Sequence, residues 1–213
     1  QEGRNSISHN NVKALYYDAD KEIIWIGTHL GGLNKLDIRS GHFTHYRMEG
    51  NNPQSLPSDI IRDITPYKDL LIIATQNGVC LFNPANGQCR QLFKDSKEGK
   101  SIKMVADVVF DSEGTLWIAA TGEGVFSYRF DTRKLTNYRH DAANPNSLSN
   151  NNVNNITQDS KGNLWFSTSG SGLDLYRPET NDFENFDKGK NGLASDCIYE
   201  TQESPTSGKL LLI

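Results

Sequence analysis

The chain has 213 residues, 36% of them hydrophobic and 23% charged, with a formal net charge of −4. That length suffices for one sizeable core or two small ones. Mild acidity without a basic stripe argues against nucleic acid as a partner, and no run of about 18 apolar residues is present to span a bilayer.

An unusual loop is written twice. It reads NPQSLPSD at residues 52–59 and NPNSLSNN at 144–151, with a fainter RNSISHNN at 4–11. Tryptophans mark the same repetition: Trp25, Trp117 and Trp165, with Ile72 in a degenerate copy. Anchors spaced by about 45–48 residues belong to propeller blades or helical repeats.

Taken in chain order, each repeat opens on a β-branched or apolar stretch: VKALYYD from Val12, IRDITPY from Ile61, VADVVFD from Val105 and VNNITQD from Val153. A turn follows, clearest as DSEG at 111–114 and DSKG at 159–162, where Asp first and Gly fourth suit a type I turn. The tryptophan strand comes next and ends in a glycine-containing hairpin loop that permits positive φ. A third strand (GLNKLD, GVCLFN, GVFSYRF, GLDLYR) and a polar turn lead to a fourth strand expected to end on Tyr46, Phe93, Tyr138 or Phe186. Four short strands per repeat, with turn signals every 8–12 residues, give an all-β reading. No stretch sustains a 3.6-residue stripe beyond two turns.

The expected fold is therefore a β-propeller fragment of four-stranded antiparallel blades, a single partial propeller over residues 1–213. The blades span about 6–46, 55–93, 101–138 and 147–186, with a partial one at 192–213. Both ends cut through repeats, so about four and a half blades imply a longer array. The NPxSL segment is the connector between blades. Leu56 and Leu148, with Ile7 and Leu193 in the matching slots, are expected to fill apolar gaps, and the tryptophans to pack between blades. Of the three cysteines, Cys197 stands apart. Cys80 and Cys89 flank one hairpin, with buried free thiols as the expected state and a cross-strand bond as the alternative.

The segments at 7–46 and 148–186 resemble the two-component regulator propeller repeat. Its LWIGT-x-x-GL core stands here as IWIGTHLGGL, LWIAATGEGV and LWFSTSGSGL, with LIIATQNGV as the weak copy. The resemblance implies a piece of a seven-bladed propeller in the periplasmic region of an inner-membrane-anchored hybrid histidine kinase/response regulator of gut bacteria. It further implies an oligosaccharide ligand, control of polysaccharide-utilisation genes, a homodimer of the full sensor, and contacts with other blades and domains of the parent. A propeller-type polysaccharide lyase or glycosidase, or a protein-interaction scaffold, is the alternative.

No GxSxG, HExxH or phosphate-binding glycine loop is present, so no catalytic, cofactor or metal residue is assigned. The DSxGxLW turns look like the Asp-box of sialidase propellers, where aspartate serves the fold. Function is expected where the repeats disagree, on the loops between second and third strands and on the connectors. The ligand-binding candidates there are His29, Asp59, Asn77, Glu123, Asn151, Asn152, Ser171 and Asp196. Their amide, carboxylate, hydroxyl and imidazole groups can bond sugar hydroxyls, or alternatively cap loops and entering strands. A lysine group in the third connector (Lys94, Lys97, Lys100, Lys103) reads as a solvated cluster.

Overall fold

The computed structural model describes residues 5–213. The start of the first connector, residues 1–4, lies outside the described residues. The chain divides into two compact units, Gln1–Val105 and Ala106–Ile213.

The first unit holds two antiparallel sheets. One is β1 (Val12–Asp18), β2 (Ile23–Thr28), β3 (Leu33–Asp37) and β4 (His42–Tyr46), paired in chain order. The other is β5 (Ile61–Tyr67), β6 (Leu70–Thr75), β7 (Gly78–Asn83) and β8 (Gln88–Gln91). In the second unit, β9 (Val105–Phe110) begins at the boundary and forms one sheet with β10 (Leu116–Ala120), β11 (Gly124–Arg129) and β12 (Lys134–Tyr138), again paired in chain order. A fourth sheet comprises β13 (Val153–Gln158), β14 (Leu164–Thr168), β15 (Leu173–Arg177) and β16 (Asp182–Phe186). After a one-turn helix α1 (Lys188–Asn191), β17 (Thr201–Glu203) and β18 (Leu210–Leu212) form a two-stranded sheet. These sheets are propeller blades, and the all-β fold is as expected.

Each unit is glued by a tryptophan from one sheet packing on the next. Trp25 is buried against Phe82, with Tyr46 completing the cluster at centroid distances of 5.5 and 6.0 Å. Trp117 meets Phe166 at 5.5 Å and Tyr176 at 4.8 Å. Aromatic pairs in tilted and edge-on geometry add to area burial. Leu56 and Leu148 are both buried in these cores, as expected of connector residues, whereas Ile7 and Leu193 are only half-buried. Trp165, in the last full sheet, is also only half-buried.

The Asp turns explain the tryptophan register. Gly114 N–H and Gly162 N–H close the turns on the carbonyls of Asp111 and Asp159. The Asp111 Oδ1 then accepts the Glu113 and Thr115 N–H groups, while Oδ2 accepts the Trp117 indole N–H at 2.8 Å. Asp159 repeats this with Lys161, Asn163 and, at 2.9 Å, Trp165. Burial pushes the Asp159 carboxyl up, but these donors outweigh it and hold it below its ordinary value. The aspartate thus fixes the turn and aims the indole.

Two expectations need correction. Phe93 does not end the fourth strand of the second sheet. The ladder position of Tyr46, Tyr138 and Phe186 belongs there to Leu92, whose N–H reaches the Val79 carbonyl and whose side chain is buried. The chain leaves the sheet at Phe93 with φ of 61°. Cys80 and Cys89 are joined in a disulfide across β7 and β8, their Cα atoms 5.9 Å apart. Cys80 lies opposite Gln91 and Cys89 opposite Phe82, so the cysteines are diagonal neighbours on paired strands. Replacing both by alanine is expected to lower unfolding free energy by about 2–3 kcal/mol, because an open loop regains entropy when unfolded. Urea titrations with and without reductant check this, and a wild-type protein indifferent to reductant would contradict it.

Candidate functional site

At one end of each sheet the hairpin loop between second and third strands meets the connector leaving that sheet. The loop is shaped by a glycine with positive φ: Gly32, Gly124 and Gly172 adopt +71°, +79° and +82°. A Cβ at any of them would run into the carbonyl of the fourth-strand residue Tyr46, Tyr138 or Phe186. A buried threonine closes the same hairpin in three sheets, Thr28, Thr75 and Thr168 donating to the carbonyls of Gly32, Gly78 and Gly172.

The connector is clasped to this loop by one recurring residue. The carbonyls of Asp59, Asn151 and Asp196 accept the N–H groups of Gly32, Gly124 and Gly172 at 2.8, 3.0 and 2.7 Å. Their side chains reach the start of the same connector. Asp59 accepts Met48 N–H, Asn151 accepts His140 N–H and Asp196 accepts Lys188 N–H, at 2.7–2.8 Å. Arg47 adds an ion pair to Asp59 at 3.0 Å. Three predicted ligand residues therefore hold the connector in place.

The other candidates are divided between the units. In the first, Asn77 donates to the Pro57 carbonyl at 3.3 Å. His29 is tied by its backbone to Asn11, and its Nδ1 is buried with no hydrogen-bond partner among the described residues. In the second, Glu123 is ion-paired with Arg139, and the Asn152 carbonyl accepts Ser169 N–H. Ser171 accepts the Asn150 amide at 3.2 Å.

Two candidates come together. Ser171 and Asp196 line a pocket of about 320 Å³ at the connector end of the fourth sheet, with His140, Ser149, Asn185 and Asp187. Beneath it lies an acid that the sequence reading missed. Asp174, with 0% exposure, accepts Ser149 N–H and O–H at 2.9 Å and the Asn185 amide at 2.8 Å. Burial pushes its carboxyl up to about 6, against the downward pull of those bonds and of His140. The first sheet has the same arrangement with an amide: Ser8 N–H donates to Asn34 Oδ1 at 2.9 Å, and His45 bonds the Ser6 carbonyl as Asn185 bonds that of Ser147. A polar residue second in the third strand, Asn34 in GLNKLD and Asp174 in GLDLYR, was the available signal.

The pocket offers carboxylates, hydroxyls and an amide, with Lys190 3.6 Å from Asp187. Among the described residues no group of His, Cys, Asp and Glu is placed to hold a metal ion. Such a lining suits hydrogen bonding to a polyhydroxylated ligand.

Residues 6–29 and 147–170 match the family model described as two component regulator propeller. No curated protein matches the chain. Among solved structures, the chain is similar to the extracellular domain of the putative hybrid two component system BT3049 from B. thetaiotaomicron. The TM-score is 0.82 at 23% identity, covering 100% of this chain and 27% of that one. The extracellular domain of BT4673 from the same organism follows with TM-score 0.74 and 20% identity, covering 95% and 26%. PorZ, a surface component of the type-IX secretion system of Porphyromonas gingivalis, aligns with TM-score 0.72 and 15% identity, over 100% and 32%. The chain thus spans 26–32% of the length of these proteins.

Proposed function

We propose that this chain, which carries two-component regulator propeller repeats, is part of the extracytoplasmic sensor domain of a hybrid two-component signalling protein. It binds oligosaccharides without turning them over, and the parent protein relays occupancy to polysaccharide-utilisation genes. The observation that carries the reading is the regulator repeat itself, matched at both 6–29 and 147–170. The Cys80–Cys89 disulfide supports an oxidising, periplasmic setting. In the parent, a membrane anchor, a kinase module and homodimerisation complete the signalling device.

The saccharide lies at the connector end of the fourth sheet, where Ser171, Ser149 and Asn185 supply donors and acceptors. Calorimetric titration of the chain with a panel of oligosaccharides tests this. Binding of at least one is expected, with Ser171→Trp weakening it about tenfold or more by occupying the pocket. Reducing ends released over time by the purified protein, or indifference to the whole panel, would sink the proposal.

A further inference from the structure

The third and fourth sheets are closely packed around Trp117 but part farther out. Trp117, Ser127 and Thr136 stand opposite one another on β10, β11 and β12, and so share one face of the third sheet. The matching row reads Trp25, Lys35 and Thr44 in the first sheet. It reads Ile72, Leu81 and Arg90 in the second, and Trp165, Leu175 and Glu184 in the fourth. Ser127 is thus the short residue where its counterparts are lysine and leucine. The volume those side chains would fill becomes a groove of about 620 Å³, within the ~300–1,000 Å³ typical of ligand sites. Its far wall carries Gln158, Leu164 and Tyr176.

The lining carries charges of both signs and is rich in both donors and acceptors. Arg129 and Arg177 are engaged by Asp131 and Asp182 at 3.3 and 2.8 Å. Lys134 and Lys161 line the groove together with Glu113 and Glu179, and the remaining acid of the lining, Asp111, is taken up by its own turn and by the Trp117 indole. The Tyr138 and Tyr176 hydroxyls both donate to Asn181 Oδ1 at 2.8 Å, which leaves each oxygen its acceptor capacity. Trp117, Tyr138 and Tyr176 form an aromatic floor. A ligand with strong net charge gains little from such a wall. One whose every hydroxyl both donates and accepts, with apolar C–H faces between, is matched to it.

We infer that this groove is a second saccharide site, selective for uncharged oligosaccharides. The inference rests on the saccharide reading above but concerns a different surface from the connector-end pocket. The test titrates the 213-residue chain with maltotriose, xylotriose, mannotriose and cellotriose, and with trigalacturonate as the charged arm. The wild type is compared with Ser127→Leu, Thr136→Arg and Ser171→Trp. Leucine at Ser127 and arginine at Thr136 are the residues found at these register positions in the second sheet, so both variants keep the fold, which an undiminished melting temperature verifies. The expected result is an uncharged trisaccharide whose affinity falls about tenfold or more in Ser127→Leu and Thr136→Arg but not in Ser171→Trp, because the new side chains occupy the ligand's space. Binding unchanged in both groove variants, or preference for trigalacturonate, overturns the groove site while leaving the saccharide reading standing. Failure of every saccharide to bind the wild type overturns both.

Discussion

Trp117→Ala is expected to cost the chain about 3–5 kcal/mol of unfolding free energy, read from urea titrations. Three effects combine. The side chain is 3% exposed and meets Phe166, Tyr176 and Tyr138 with centroids 4.8–5.6 Å away, so truncation leaves a large cavity. The Asp111 carboxylate loses its indole donor. The groove side of the cluster also loses its floor. Trp117→Phe, which keeps most of the packing, should cost only about 1–2 kcal/mol for the missing hydrogen bond. The half-buried Trp165 is the internal control: its alanine variant should cost clearly less than that of Trp117. Equal losses at the two positions would refute the account in which sheet-to-sheet packing, rather than the Asp turn alone, gives the tryptophan its value.

Asp174→Asn should stabilise the protein at pH 8 by about 1–2 kcal/mol and flatten its stability between pH 4 and 6. The folded carboxyl is raised from 3.8 to about 6, so the folded state binds the proton more tightly than the unfolded one. The wild type therefore loses stability as pH rises through that interval, by up to about 3 kcal/mol from this group, and keeps the penalty above it. An amide carries no such penalty. Asn34 shows that an amide can accept the connector serine N–H at this position, although the Asn185 contact must be re-formed, which trims the gain. Urea titrations of both proteins at pH 4.5, 6 and 8 give the difference free of the other carboxylates. A variant less stable than wild type at pH 8 would mean that the hydrogen bonds to Asp174 outweigh its desolvation.

The sequence displays the parts of this fold that repeat. Tryptophan spacing, Asp turns and hairpin glycines each impose a local rule, so each could be read without partners. What it hides depends on register between strands. Phe93 looks like the aromatic that ends a fourth strand, yet the ladder gives that place to Leu92 one residue earlier. The disulfide joins a diagonal pair, visible only once Cys80 is set opposite Gln91. Ser127 is unremarked in its own strand and becomes informative only beside Lys35, Leu81 and Leu175. Of the loop candidates, Asp59, Asn151 and Asp196 were singled out by type and place, but their carbonyls and side chains serve the connector. Ser171 and Asp196 share a pocket, while the other candidates are spread over separate sheets and two units.

The connector has a consequence for how such chains can grow or shrink. Along residues 47–59 the allegiance alternates: Met48 is bound by Asp59, Gln54 receives the Cys89 N–H of the following sheet, Leu56 enters the core, and Asp59 returns to Gly32 of the preceding one. Residues 139–151 do the same, with Asn146 bound to Phe183 before Asn151 returns to Gly124. The stretch is stitched through two neighbours in turn, so no peptide bond in it separates one repeat from the next. A recombination breakpoint placed there would orphan bonds on both sides. Exchange of repeats between related genes should therefore leave these stretches whole and fall instead in exposed turns between third and fourth strands whose bonds are local, such as Asp131–Arg133.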